Sequence, residues 1–198
     1  MSTLVKAYKH WWGEGEPEAS DPVVSTDDMK VYLRIDGDAE NDVVAALVSA
    51  ATEYCEKYQA RKFTNTQYAG NLDNLIVGEK YQLPFFPITE IDGVVAITDE
   101  GEEIEITDIS YDLESGIVVI NDLPSALSGY DLDPVIPAKI YFSAGHNEND
   151  PVPDTSILAL KLLVGHWFEH REAASDGLEV KKVPIAAEAL LDKCRVYV

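Results

Sequence analysis

The apolar residues of this chain change period twice, and that change limits the folds open to it. Between about Asp38 and Lys62, the residues Val44, Leu47, Ala51, Tyr54, Cys55 and Tyr58 recur at steps of three and four, which lays one buried stripe along a helix. Asp38, Glu40 and Asp42 open this helix and Lys57, Arg61 and Lys62 close it, the arrangement its macrodipole prefers. A shorter helix over 26–33 precedes it, with Ser25 or Thr26 as N-cap and Asp27 and Asp28 in its first turn. From Leu83 the chain is extended by the prolines of Leu83-Pro-Phe-Phe-Pro-Ile, and after the apolar run 94–97 the period falls to two. Ile104 and Ile106 face one way while Glu103 and Glu105 face the other, as in a half-buried strand with carboxylates on its open side. Further strands are predicted at 110–113, 117–120 and 138–143, the first two joined through Glu114-Ser-Gly. Helical spacing returns after Val152-Pro153 with Ile157, Leu160, Leu163, Val164, Trp167 and Phe168, and Pro184 opens a last helix carrying Ala187, Leu190 and Leu191. The expected fold is α+β: a mostly helical bundle (helices near 26–33, 38–62, 154–172 and 184–193) with an inserted small antiparallel β region at about 66–143.

A chain of 198 residues, 46% hydrophobic, has enough apolar surface to bury a core. Residues 11–22 read Trp-Trp-Gly-Glu-Gly-Glu-Pro-Glu-Ala-Ser-Asp-Pro, with too little apolar surface after the tryptophans to order themselves. The expected organisation is therefore an extended N-terminal arm over 1–22 and a single domain over 23–198. Trp11 and Trp12 either anchor the arm on another surface, as interface aromatics do, or fold back on their own domain. Lys193, Arg195 and Tyr197 near the C-terminus are either a docking tail or the plain end of a helix. The sequence leaves both pairs of readings open.

Charge narrows the function classes. Thirty-six acidic residues face 15 basic ones, a formal charge of −21, so the chain cannot coat nucleic acid by neutralising phosphates. No Lys or Arg occurs between Lys80 and Lys139, while thirteen Asp or Glu fall there, and the acid is thus concentrated in the β-rich stretch. No apolar run approaches the roughly 18 to 20 residues that span a bilayer, and the N-terminus lacks an apolar signal-peptide region, so a soluble, non-secreted chain with no membrane partner is expected. Cys55 and Cys194 have no metal-knuckle or redox spacing and are expected to be reduced.

The sharpest chemical motif is His166-Trp-Phe-Glu-His170, which fits the H-x-x-E-H pattern of inverted zinc peptidases. In that reading His166 and His170 share a helix face as zinc ligands and Glu169 is the base for a metal-bound water. The alternative is coincidence at the amphipathic end of a helix. A zinc site needs a third protein ligand, and His10 and His146 are the only other histidines, so the surroundings favour coincidence. The loop Gly145-His-Asn-Glu-Asn-Asp150 lacks the ligand order of a calcium loop, and the acidic cluster 99–103 reads as a solvated hairpin tip. There is no Gly-rich phosphate loop and no nucleophile elbow. No catalytic residue, metal ligand or cofactor is assigned.

Four blocks in order carry a family resemblance. They are Asp28-Met-Lys-Val-Tyr-Leu-Arg-Ile-Asp36 with Asp42, Ala50-Ala51, Glu56 and Tyr58 behind it; Leu83-Pro-Phe-Phe-Pro-Ile-Thr-Glu-Ile91; Ile140-Tyr-Phe-Ser-Ala-Gly145, then Val152-Pro153 and His166-Trp-Phe-Glu-His-Arg-Glu172; and Val183-Pro184 with Leu190-Leu191 and Arg195. Together they resemble the head-tail connector, or head completion, proteins of long-tailed bacteriophages, over most of residues 24–195. The N-terminal arm and the strongly acidic insertion depart from that pattern. The resemblance implies a structural virion protein rather than an enzyme. It implies a ring of identical subunits, twelve in the virion, that joins the capsid portal to a tail-side completion or tail terminator protein, with double-stranded DNA passing through its centre without specific binding. It also implies location at the capsid-tail neck, and in the host cytoplasm during assembly. An acidic lining would keep such DNA centred, and Glu100, Glu102, Glu103 and Glu105 are the expected channel-facing carboxylates. Trp11, Trp12, Lys193, Arg195 and Tyr197 are the expected docking residues. The competing readings are a zinc-dependent hydrolase using His166, His170 and Glu169, and an acidic module that mimics DNA and binds a basic protein.

Overall fold

A computed structural model describes residues 3–4, 6–9, 22–170 and 184–196, with backbone alone for the first six of these. The chain divides into two compact units: a β unit built on 64–146 together with the N-terminal strands, and a helical unit built on 19–63 and 147–197.

In the helical unit, α1 (Thr26–Leu33) starts at Ser25, whose Oγ accepts a hydrogen bond from the Asp28 amide at 3.0 Å. It stops at Arg34, which takes the left-handed conformation. The second helix, α2 (Asn41–Gln59), ends the same way at Ala60. It is shorter than the acidic and basic flanks suggest, because Asp38 is spent outside it: its carboxylate accepts from Lys30 Nζ at 2.9 Å and Asn41 Nδ2 at 3.2 Å, linking α1 to the start of α2. Next come α3 (Asp154–Glu169), entered through Pro153, and α4 (Ile185–Leu191), entered through Pro184 and continued by one 3₁₀ turn at Asp192–Cys194. Val24, Met29, Val44, Val48, Ala51, Cys55 and Phe63 form one core with Ala159, Leu160, Leu163, Val164, Ala187 and Leu191. The three-four spacing read in the sequence is the spacing of these buried positions. No described helix is long and apolar enough to cross a membrane.

The β unit overturns the expectation of a mostly helical bundle with a small sheet at about 66–143. Nine strands are described: β1 (Thr3–Leu4), β2 (Lys6–Lys9), β3 (Thr66–Leu72), β4 (Lys80–Gln82), β5 (Ile88–Ile97), β6 (Glu103–Glu105), β7 (Ile109–Asp112), β8 (Ile117–Ile120) and β9 (Ala138–Ala144). They form two sheets, one of order β1-β4-β8-β7 and one of order β2-β3-β9-β5-β6. All pairings are antiparallel except β1 with β4, which is parallel. The missed strands share a cause. Thr66-Gln-Tyr-Ala-Gly-Asn-Leu72 and Lys80-Tyr-Gln82 have no clean alternation, and their strand state comes from partners distant in sequence, which no local period reports.

The register gives each sheet face its identity. Leu72, Ala138, Ala96 and Ile104 are successive cross-strand partners, as are Gly70, Ile140 and Val94, and this face is buried except at the half-buried Ile104 on the edge strand. Asn71, Lys139, Val95 and Glu105 are successive partners on the opposite face. In the other sheet Tyr81 and Val118 are partners and both are fully buried.

Candidate functional site

The β unit concentrates negative charge. Within 64–146 there are fifteen Asp or Glu against Lys80 and Lys139 alone. The topology collects much of this acid at one end of the five-stranded sheet. Thr98 is buried at the tip of the β5–β6 hairpin; its backbone amide donates to the Glu102 carbonyl at 2.9 Å and its Oγ1 accepts from the Glu102 amide at 3.0 Å. Gly101 turns the chain at φ 84°, a conformation that suits glycine, and its amide donates to the Thr98 carbonyl. Glu100 and Glu102 are thereby left exposed at the tip.

The segment 131–136 is stapled alongside this hairpin. The Asp99 amide donates to the Asp131 carbonyl and the Asp133 amide to the Ile97 carbonyl, both at 2.9 Å. The Asp133 carboxylate accepts from the amides of Ile136 and Val135, each at 2.8 Å, and these bonds hold its pKa below the usual range. Asp99, Glu100, Glu102, Asp131 and Asp133 thus sit on one braced lobe, beside Val135 and Tyr130, which are exposed.

Glu103 and Glu105 lie on the open face of β6, as their alternation with Ile104 predicts. Glu103 is not a bare carboxylate. Its Oε1 accepts from Lys139 Nζ at 3.2 Å and from the hydroxyl of Tyr141 at 3.3 Å, across β5. Tyr141 packs with Ala69 and Val95, and burial, followed by the Glu103 charge, pushes its phenol up to about 12. Farther along this face the Ser143 hydroxyl donates to Asp92 at 3.1 Å; burial raises the Asp92 pKa against that bond, and neighbouring Glu90 raises it further. The sequence showed the acidic run but not this Tyr141–Glu103–Lys139 cross-link, which depends on pairing over 36 and 38 residues.

The histidine motif takes a different shape from a metal-binding helix face. Glu169 is the last residue of α3, and His170 follows it outside helical geometry at φ −113°, ψ 27°. The imidazole of His170 turns back so that Nδ1 lies 2.8 Å from the His166 carbonyl, capping the helix end, and the two rings are 4.5 Å apart. Among the described residues no three His, Cys, Asp or Glu side chains converge as metal ligands.

Of the expected docking residues, Trp11, Trp12 and Tyr197 lie outside the described residues. Lys193 and Arg195 are exposed where the C-terminal turn meets the end of α2. Arg195 stacks over the Tyr58 ring with its guanidinium carbon 4.9 Å from the centroid, Tyr58 donates to Asp192 at 2.8 Å, and Arg61 Nε donates to the Cys194 carbonyl at 2.6 Å. The Asp192 bond raises the Tyr58 pKa. The Val196 amide donates to the Gln59 carbonyl at 2.9 Å. The basic C-terminus is therefore fixed on the helical unit as far as residue 196. Of the residues singled out in the sequence, Lys193 and Arg195 belong to the helical unit, and Glu100, Glu102, Glu103 and Glu105 belong to the β unit.

Residues 22–179 match the model of the head completion protein family. The fold is similar to a chain in the neck of an empty gene transfer agent particle computed with C6 symmetry and to one in the virion of the native particle. Each is 20% identical with a TM-score of 0.66, over 92% of this chain and 96% of that one. A chain in the neck of the native particle computed with C12 symmetry is 16% identical with a TM-score of 0.62, over the same shares. No curated protein matches the sequence. The matched region covers most of the chain, both helical unit and β unit, and defines the class: a structural protein of the junction between a virus head and its tail. The chain belongs to the head completion protein family.

Proposed function

We propose that this protein assembles into a ring of identical subunits, twelve in the virion, seated between the capsid portal and a tail-side completion or tail terminator protein, and that the ring continues the channel through which DNA leaves the head. Membership of the head completion family carries this reading. The particles containing the similar folds were computed with sixfold and twelvefold symmetry, which fits a closed ring. The protein acts by shape and charge, without a catalytic step. It is located at the neck of the virion and, during assembly, in the host cytoplasm.

Duplex DNA carries one charge per roughly 1.7 Å of axis, so a channel that gripped phosphates would stall it. Carboxylates avoid that, provided they stand within about one Debye length, roughly 8 Å at physiological salt. Glu100, Glu102 and Glu105 are the carboxylates assigned to the channel wall, with Glu103 contributing less because Lys139 offsets it. Lys193 and Arg195, with Trp11, Trp12 and Tyr197, are assigned to docking on neighbouring subunits or on the portal. The test is the mass of the purified protein alone and after mixing with its portal, by light scattering and electron microscopy. A ring, or a portal with a ring added, is expected; a monomer that ignores the portal would remove the reading.

A further inference from the structure

The N-terminal strands β1 and β2 are set apart from the rest of the β unit. Every other strand lies between residues 66 and 144, whereas these two come from residues 3–9, separated in sequence from that stretch by the first helices of the helical unit. With only Val5 between them, they occupy the outer edge of both sheets. Thr3 and Leu4 run parallel to Tyr81 and Gln82, and Lys6 to Lys9 pair antiparallel with Asn71 back to Tyr68. One short segment thus clips together the open edges of β4 and β3. Left uncovered, those edges would present rows of unpaired backbone groups beside the buried Leu72 and Tyr81.

We propose that in the assembled ring this clip is exchanged: residues 3–9 of one subunit complete the β3 and β4 edges of the next. The pairing is with backbone, so it is identical whichever copy supplies the strands, and reach and local concentration decide between them. Twelve residues, 10–21, join β2 to Pro22, and at about 3.3 to 3.6 Å per residue they span up to roughly 40 Å. A closed ring holds neighbouring copies at the millimolar effective concentration typical of tethered partners. Head-to-tail donation also closes on itself in any cyclic ring, since each subunit gives one clip and receives one. The proposal rests on the ring reading above.

The test uses two single variants, Lys6→Cys and Asn71→Cys, each in a Cys55→Ala, Cys194→Ser background. These positions are cross-strand backbone partners, and the Cα atoms of an antiparallel pair lie about 4.5 to 5.5 Å apart, within the range a disulfide bridges. The two variants are mixed, assembled, checked by light scattering and oxidised. Covalent dimers on a non-reducing denaturing gel are expected, because no bond within one chain is possible in either variant. The double variant, Lys6→Cys with Asn71→Cys, should give a ladder of multimers. A ring that forms but yields no dimer from the mixture, while the double variant gives only an internally linked monomer, overturns exchange and leaves the ring reading intact. No bond in either experiment also overturns it, because the register it requires is then absent. Internally linked monomers without any ring overturn both, whereas covalent open chains without a closed ring support exchange and count against the ring.

Discussion

At Gly145 the backbone leaves β9 with φ 130°, and its amide donates to the Pro87 carbonyl at 2.8 Å. A Cβ at this position would collide with the Thr64 carbonyl and the Asn65 backbone, groups that cannot swing aside. Gly145→Ala is therefore expected to cost at least about 2 to 3 kcal/mol, read as a lower midpoint in chemical denaturation. A mutant as stable as the wild type would mean that the segments 64–65 and 144–146 are not held this close. Tyr141 makes a second prediction at this scale, concerning pH. A phenol whose folded pKa is raised contributes stability that is present below the unfolded value of about 10 and is lost as pH rises toward the folded value of about 12. Denaturation at pH 8, 10 and 11 should show stability falling across that interval. Tyr141→Phe should flatten part of the fall, and should cost about 1 kcal/mol at pH 8 through the lost bond to Glu103. An unchanged alkaline slope in the variant would mean that the phenol is solvated.

At the scale of elements, Gln59 ties three helices together. It is fully buried at the end of α2; its Nε2 donates to the Leu191 carbonyl of α4 at 3.0 Å, and its Oε1 accepts from the Ser156 hydroxyl of α3 at 3.1 Å. Gln59→Ala removes these bonds, strands the Ser156 hydroxyl in the core and leaves a cavity, for an expected loss of about 2 to 4 kcal/mol in the unfolding free energy of the helical unit. Circular dichroism at the helical minimum would record it, and a loss below about 1 kcal/mol would mean that water replaces the side chain. This polar knot was invisible in the sequence, where Gln59 is one position past the apolar stripe. The stripe itself was legible, since Val44, Ala51 and Cys55 are buried as the three-four spacing requires. The β7–β8 hairpin was legible for a similar reason. Its turn is local, closed by the Gly116 amide on the Asp112 carbonyl at 2.9 Å with Gly116 at φ 66°.

At the scale of the whole molecule, charge is the property with a functional consequence. Replacing Glu100, Glu102 and Glu105 by Lys changes the channel wall assigned above by six charges per subunit while leaving the Glu103–Lys139–Tyr141 link in place. The ring should still assemble, and its affinity for duplex DNA at 50 mM salt should rise at least about tenfold, falling away steeply by 200 mM as released counterions predict. Fluorescence anisotropy with a labelled duplex checks this. An assembled ring with unchanged DNA affinity would place these residues on its outer rim. The end of α3 shows the same dependence on three-dimensional placement. The helix ends at Glu169 and His170 follows it with Nδ1 2.8 Å from the His166 carbonyl, a placement that spacing along the chain does not report.

By itself the sequence determined the helices, the acid of the β-rich stretch and the four ordered blocks that resemble the family, because each rests on residues close together along the chain. Only the tertiary structure decided that the β region is two sheets rather than a small insertion, that residues 3–9 close the edges of both, and that Glu103 is held by Lys139 and Tyr141. Helical periodicity is written in neighbours three and four residues apart. Strand pairing joins residues tens of positions apart through backbone groups that every residue carries, so the side-chain sequence leaves little trace of it.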